Sequence, residues 1–347
     1  MQAKEPLFGK TLDKLQEIVW QEGLPRFTAK QITDWLYKKD ITSIEEMTNL
    51  SKEARQKLSE KYDFGLTSHI TVSKSADGTK KYLFPAGEGK FVESAYIPEK
   101  DRATLCVSSQ VGCKMGCLFC ATGKQGFQGQ LSTNQVLNQI RSLPEREMLS
   151  NIVFMGMGEP FDNLEEVLKS VNILTENWGF EMAPRRVTVS TIGIVPGMKK
   201  FLEETKAHLA VSLHSPFEEE RKKIMPIENV YSLPQVMQAI RDTEWGRQRR
   251  VSFEYIMFKG FNDQERHVKG LVKLLHGIKC RINLLRFHPI PGTPLQSSDD
   301  QTIEWFRDAL KQKGITTTIR TSRGQDIEAA CGLLSTRELG KKESTKK

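Results

Sequence analysis

Cys113, Cys117 and Cys120 stand in a C-x3-C-x2-C spacing. Three thiolates this close can hold three corners of a cubane iron–sulfur cluster and leave its fourth iron without a protein ligand. A fourth cysteine would close the set and make an electron carrier or a structural centre. A cluster with an open iron can instead bind a small molecule and pass it one electron. Phe119, just before the third cysteine, fits the same pattern. Two plainer alternatives stand beside this one. The thiols could hold zinc with Cys106 as fourth ligand, although zinc sites usually draw on two closely spaced ligand pairs and the sequence has no second pair. They could also be ordinary buried thiols, which such tight clustering disfavours.

The small molecule expected at an open iron is S-adenosylmethionine, whose amino and carboxylate groups can chelate it. One electron then breaks a carbon–sulfur bond and yields a 5′-deoxyadenosyl radical. Gly156-Met157-Gly158-Glu159-Pro160 follows a short apolar strand about one β-α unit after the cysteines. Its glycines let backbone approach a ligand closely, and Glu159 could orient an ammonium group. The plainer alternative is a strand-to-helix turn with Glu159 near the helix start. Ser190, Ser212-Leu213-His214 and His288 fall at or after strand ends. Each could contact such a cofactor or be a satisfied turn residue.

Cys106 and Cys331 belong to no ligand motif. Cys106 ends a strand seven residues before Cys113, and Cys331 lies in Gly324-Gln325-Asp326-Ile327-Glu328-Ala329-Ala330-Cys331-Gly332. Two extra thiols suggest nucleophilic or redox catalysis, with buried small residues as the alternative. Cys280 is assigned to the buried class.

These residues need elements to position them. Helical spacing of Leu12, Leu15, Ile18 and Val19, of Ile32, Trp35 and Leu36, and of Ile44, Met47, Leu50 and Leu58 predicts a small helical accessory domain over 1–66. Arg26, Lys30, Lys38 and Lys39 are expected to give it a basic surface. Residues 67–105 read as strands, with Asp77-Gly78 a hairpin turn. From 106 to 335 strands and helices alternate: strands at 152–155, 186–190, 209–213, 251–257, 281–285 and 316–320, helices at 164–174, 199–204, 233–242, 265–275 and 302–313. Repeated β-α units imply a parallel sheet curved into a full or partial barrel, with chemistry at the carboxyl ends of its strands. The basic tail 336–347 is expected to be disordered.

Composition narrows the partners. The 347 residues carry a net charge of +8, which favours a polyanion such as nucleic acid. Arg185-Arg186, Arg221-Lys222-Lys223 and Arg247 to Arg250 are the basic clusters that could meet phosphates. No apolar run approaches the ~20 residues of a membrane span, and residues 1–6 hold no hydrophobic signal core. A cytoplasmic location is expected, where cysteines serve metal and redox chemistry rather than a disulfide scaffold.

Taken together, Cys106 to Cys113, Cys120-Ala121-Thr122-Gly123, Phe154 to Pro160, Ser212 to Pro216 and Gly324 to Gly332 resemble one radical S-adenosylmethionine family, the dual-specificity 23S ribosomal RNA and tRNA adenine carbon-2 methyltransferases of the RlmN type. The resemblance runs nearly end to end. It implies a radical S-adenosylmethionine partial (β/α)6 barrel and a [4Fe-4S] cluster on Cys113, Cys117 and Cys120. It implies two S-adenosylmethionine molecules per turnover and cofactor contacts at Gly158, Glu159, Ser190, Ser212, Leu213, His214 and His288. Position 288 departs from the asparagine of well-known members. By the same resemblance Cys331 takes a methyl group from one S-adenosylmethionine, and the radical from the second removes a hydrogen from it. The resulting methylene joins the adenine, Glu93 accepts the ring proton, and Cys106 releases the product by forming a disulfide with Cys331 that is then reduced. On sequence alone Glu93 is an unremarkable strand carboxylate. A flavodoxin- or ferredoxin-type reductant and a monomeric enzyme are implied. Related Cfr-type resistance enzymes methylate carbon 8 with the same catalytic residues. Pro160 and the Pro289-Ile290-Pro291-Gly292-Thr293-Pro294 stretch favour carbon 2.

Overall fold

A computed structural model describes residues 4–245, 250–330 and 332–334. Among the described residues ten strands form the main sheet, in the order Thr71–Lys74, Lys80–Pro85, Phe91–Pro98, Ala103–Cys106, Leu149–Phe154, Val187–Thr191, His208–Ser212, Val251–Met257, Cys280–Arg286 and Thr317–Ile319. The first four, Thr71–Lys74 to Ala103–Cys106, pair antiparallel each with the next. From Ala103–Cys106 onward every pairing is parallel. Helices Thr133–Arg141, Leu164–Thr175, Val195–Glu204, Leu233–Arg241, Glu265–Leu274 and Asp300–Gln312 make the crossovers. The result is a partial (β/α)6 barrel with one further parallel strand and an antiparallel extension on the cysteine side.

Side-chain alternation fixes which face of the sheet does what. Successive strand residues point to opposite faces. Val187, Val189, Leu209, Val211, Val251, Phe253, Tyr255, Ile282 and Leu284 are buried in one core with Val136, Val171, Phe201, Val236, Leu271 and Phe306 of the crossover helices. The intervening residues therefore turn inward. Register ties them together: Ala95 lies opposite Cys106, Cys106 opposite Val153, Val153 opposite Thr188, Ser190 opposite Ala210, Ser212 opposite Glu254, and Glu254 opposite Asn283. Glu93, two residues from Ala95, shares that face. The inner wall is thus largely polar while the outer wall is apolar.

The accessory helices Leu12–Gln21, Thr28–Tyr37 and Lys52–Lys61 pack on Leu15, Ile18, Ile32, Leu36 and Leu58. Thr11 and Ser51 cap the first and third with their hydroxyls. This core is continuous with that of the barrel. Phe8 stacks on Phe64 at 6.2 Å and meets Phe180 edge-on at 6.4 Å. Asn134 donates to Phe8 O at 3.0 Å, and Arg141 reaches Asp40, Lys39 O and Ile41 O at 3.0, 2.9 and 3.0 Å. The expected basic surface here is offset. Residues 4–63 hold eleven Lys and Arg against eleven Asp and Glu, and Lys38 pairs with Asp34 and Glu181.

Element boundaries differ from expectation where caps decide them. Helix Val195–Glu204 begins before the expected Lys199 because Pro196 occupies its first turn, where a missing N–H does no harm. Helix Thr133–Arg141 was not among the expected elements, although Ser132 and Gln135 form a capping box that marks its start. Phe8 joins the two cores, so Phe8→Ala should lower unfolding free energy by about 3–5 kcal/mol, read as a lower urea midpoint for the whole chain.

Candidate active site

The cysteines lie on the loop that follows strand Ala103–Cys106. Gln110–Val111 pairs with Gly129–Gln130 and closes the loop at its base. Gly112 has φ +71°, and a Cβ there would overlap Gly126 O, so only glycine allows the pinch before Cys113. Cys113 and Cys117 are buried and Cys120 is half-buried. Leu118 N donates to Ile224 O at 3.0 Å, holding the loop to the end of helix Glu218–Ile224. Cys117 and Phe119 pack with Ile224, Met225, Ile256, Phe258, Phe287 and Ile290.

This donor set suits an iron–sulfur cluster. Burial pushes the Cys113 thiol up to about 12 and the Cys117 thiol well above its ordinary range, so thiolates here call for positive metal charge. Among the described residues no three His, Cys, Asp or Glu side chains are grouped to hold a single ion. A cubane makes no such demand, because each thiolate binds a different iron. Cys106, the fourth ligand a zinc site would have drawn on, packs apart from the loop with Ala95 and Ala329.

The Gly156–Pro160 loop is zipped to the chain entering the cysteine loop. Met157 N donates to Ser108 Oγ at 2.8 Å, Ser109 N to Met157 O at 2.9 Å, and Glu159 N to Gln110 Oε1 at 2.7 Å. A Cβ on Gly156 would meet Ser108 Oγ and Val107 O at 2.7 Å, and one on Gly158, at φ +100°, would meet Gln110 Cβ at 2.5 Å. The Glu159 carboxylate is buried and accepts from Phe161 N at 3.0 Å, Thr191 Oγ1 at 2.7 Å and Ile192 N at 3.0 Å. Burial pushes it up to about 7 against those hydrogen bonds. Its contacts tie the loop to the next strand end.

Ser190 and Ser212 are half-buried on the inner face and Leu213 is buried. His214 adopts φ +55°, and its Nδ1 accepts from Ile256 N at 3.0 Å. Burial and nearby Arg221 pull it down to about 3, so the ring is neutral with its proton on Nε2. Its edge meets the Phe119 ring at 4.7 Å. His288 Nε2 lies 3.0 Å from Ser322 Oγ. Glu93 is buried and pairs with Lys81 at 3.1 Å.

Arg221 overturns one expectation. Expected as part of a phosphate-binding cluster, it is fully buried. Its Nε donates to Leu213 O at 3.0 Å, its Nη2 to Ile192 O at 3.0 Å and Ser212 O at 3.1 Å, and its Nη1 pairs with Glu228. One guanidinium thus ties together the loops that end two adjacent strands. Of that cluster only Lys222 and Lys223 are exposed.

The segment before residue 331 is held by the hairpin turn between the first two strands. Asp326 accepts from Ser75 Oγ at 2.6 Å and Ala76 N at 3.2 Å, and Asp77 accepts from Gly324 N at 2.9 Å. Burial would raise Asp77, but hydrogen bonds from Thr79, Gly324 and Ser75 outweigh it and bring it to about 2. Ala329 packs with Ala95 and Cys106. Just beyond, Ala121 N donates to Gly332 O at 2.8 Å and Thr122 Oγ1 to Leu334 O at 2.7 Å. Cys331 itself, Arg247 to Arg249 and the tail 336–347 lie outside the described residues.

A cysteine loop at the carboxyl end of the first parallel strand of a partial barrel defines a radical S-adenosylmethionine enzyme, and the Radical SAM superfamily profile matches residues 107–271. The ribosomal RNA large subunit methyltransferase N-terminal domain profile matches residues 6–63. "Probable dual-specificity RNA methyltransferase RlmN" of Bacteroides thetaiotaomicron is 54% identical over 97% of each chain, and its Porphyromonas gingivalis (strain ATCC BAA-308 / W83) counterpart 56% identical over 95% of this chain and 96% of its own. The "Dual-specificity RNA methyltransferase RlmN" of Nitratiruptor is 42% identical over 95% of this chain and 98% of its own. The crystal structure of a radical SAM methyltransferase from Sphaerobacter thermophilus superposes with TM-score 0.87 at 36% identity, covering 95% of this chain and 99% of its own. The chain belongs to the RlmN family of dual-specificity RNA methyltransferases. The family carries a [4Fe-4S] cluster and uses S-adenosylmethionine.

Two outcomes follow from the anchors. Arg221→Met leaves Glu228 buried without its partner and should cost about 3–5 kcal/mol in chemical denaturation. Asp77→Asn should speed amide exchange at Gly324 and Ala329 while the barrel strands keep their protection. In the parent protein the Asp77 contribution is complete above about pH 4, the ordinary carboxylate value, and is lost as pH falls through about 2.

Proposed function

We propose that the protein methylates carbon 2 of an adenosine in 23S ribosomal RNA and in tRNA, through a methyl group carried on Cys331. The observation that carries this reading is the placement of the chain around position 331. Ala329 packs against Cys106, while Gly332 and Leu334 are bonded to the helix that follows Cys120. The described residues on either side of position 331 thus reach Cys106 on one side and the cluster loop on the other.

The cluster, when bound on Cys113, Cys117 and Cys120 with one open iron, supplies the electron that cleaves S-adenosylmethionine. The chain's own groups do the rest. The Cys331 thiolate attacks the methyl carbon of one S-adenosylmethionine, takes the methyl group and displaces S-adenosylhomocysteine. The methyl then gives up a hydrogen atom to the radical derived from a second, and its carbon bonds to adenine carbon 2. The adduct gives up one electron, for which the cluster oxidised in the cleavage step would be the acceptor, and its ring proton goes to Glu93. Lys81 holds that carboxylate in place. Cys106 thiolate attacks the Cys331 sulfur, the sulfur–carbon bond breaks toward the RNA, and the departing carbon takes a proton to become the new methyl group. The disulfide left behind needs two electrons before the next cycle.

Gly158, Glu159, Ser190, Ser212, Leu213, His214 and His288 are assigned to S-adenosylmethionine. Ser190 and Ser212 open onto the inner face, and His214 has an Nε2 proton to donate. The helical domain is assigned to RNA docking, supported by Trp20 at 78% and Phe27 at 66% exposure near the corner between its first two helices, where rings can stack on bases. A flavodoxin- or ferredoxin-type reductant, a monomeric enzyme and a cytoplasmic location complete the reading. Disulfide reduction every cycle requires a reducing compartment, and no helix among the described residues is long and apolar enough to cross a membrane.

Reconstituted protein, S-adenosylmethionine, a reductant and RNA containing the peptidyl-transferase loop should give 2-methyladenosine on nucleoside mass spectrometry, and Cys331→Ala should give none. A product at carbon 8 would overturn the regiochemistry. Methylation by Cys331→Ala would overturn the carrier.

A further inference from the structure

Three arginines on the inner face have no role in the chemistry above. Arg281 lies opposite Ser252 and turns inward with it. Arg250 directly precedes strand Val251–Met257, two residues from Ser252, and so belongs to the same row. Arg320 follows Thr318, which is paired with Asn283, and its N–H still bonds to Leu284 O at 2.9 Å. The final strand, Thr317–Ile319, is an edge of the sheet, so this row opens to solvent.

Arg250 and Arg320 are each close enough to act on the Arg281 charge. Burial together with the fields of Arg250 and Arg320 draws the Arg281 guanidinium below its ordinary value. The Nε atoms of Arg250 and Arg281 are buried without a hydrogen-bond partner. Among the described residues no carboxylate forms an ion pair with any of the three. Glu254, on the same face, accepts from Asn283 at 2.7 Å and feels the Arg320 charge without forming an ion pair with it. Like charges gathered with orphaned donors are unfavourable until an anion completes them, and guanidinium groups suit phosphate oxygens in paired geometry.

We propose that Arg250, Arg281 and Arg320 bind backbone phosphates of the RNA strand as its target base enters the inner face of the barrel from the open edge. This rests on the reading of RNA as substrate. Cys106 lies on the same inner face, across the sheet from these arginines, and an RNA strand that delivers a base over that face carries phosphates alongside. The three arginines are the anion-binding rim of that passage.

The test is fluorescence anisotropy of the full-length protein with a labelled anticodon stem-loop RNA across a potassium chloride series. Arg281→Gln and Arg250→Gln should each weaken binding and flatten the plot of log affinity against log salt by roughly 0.7 for each phosphate no longer neutralised. Arg281→Lys should keep the slope of the parent. Two glutamine variants that keep the parental slope overturn the assignment, as does unchanged RNA affinity with weakened S-adenosylmethionine binding, which would give these arginines to the cofactor's carboxylate. If the parent binds RNA with no salt dependence the phosphate role alone falls. If it binds no RNA, the substrate reading falls with it.

Discussion

A buried guanidinium holds the site together. Arg221 lies under the mouth of the barrel with its donors on the carbonyls of Ile192, Ser212 and Leu213 and its charge paired to Glu228. Loops at the carboxyl ends of parallel strands leave carbonyls without strand partners, and each would be costly to bury alone. One planar group with five donors meets three of them at once. Burial draws Arg221 down to about 10, which still leaves it charged at neutral pH. That charge acts on Cys117 and on His214. The residue that fixes these loops therefore also sets the local field, favouring thiolate at the cysteine and the neutral ring at the histidine.

A second constraint is register. The catalytic assignment needs a carboxylate and a thiol from different parts of the chain on one surface. Antiparallel pairing of Phe91–Pro98 with Ala103–Cys106 sets Ala95 opposite Cys106, and a side-chain period of two then brings Glu93 to the same face. A slip of one residue would turn Glu93 into the outer core. The antiparallel strands are thus part of the site. Their hairpin turn also carries Ser75 and Asp77, which grip Gly324 and Asp326. One extension of the sheet supplies a carboxylate and fastens the segment that leads to Cys331.

Much of this was legible in the chain. Strand Val251–Met257 was expected at those limits because Val251, Phe253 and Tyr255 alternate with Ser252 and Glu254, the period-two pattern of a half-buried strand. The cysteine loop and the Gly156–Pro160 turn were legible because their chemistry is compressed into a few adjacent residues. Arg221 was not. In sequence it is one of three consecutive cations, and nothing local says that it alone turns inward. Its partners at 192, 212, 213 and 228 come together only through the parallel crossovers. Asp77 was legible as a turn residue but not as a clamp, since its partner Gly324 lies 247 positions away. Glu93 was placed by resemblance alone; its register neighbour Cys106 became visible with the sheet.

The distribution of charge bears on how RNA would reach this site. The whole excess of positive charge lies beyond residue 63, because the accessory helices are balanced. A balanced domain contributes little long-range attraction for a polyanion. What it exposes instead are the rings of Trp20 and Phe27, whose contacts with bases depend little on salt. Among the described residues Arg250, Arg281 and Arg320 form no ion pair, and they lie on the inner face of the barrel that also holds Cys106. Attraction would therefore be strongest where the target base must enter, and the accessory domain would orient an RNA that the barrel has drawn in. This division also suits a substrate whose base must leave its stack: the energy of unstacking is offset where phosphates are gripped beside the opening, and a ring from the outer domain can take the place of the departed neighbour.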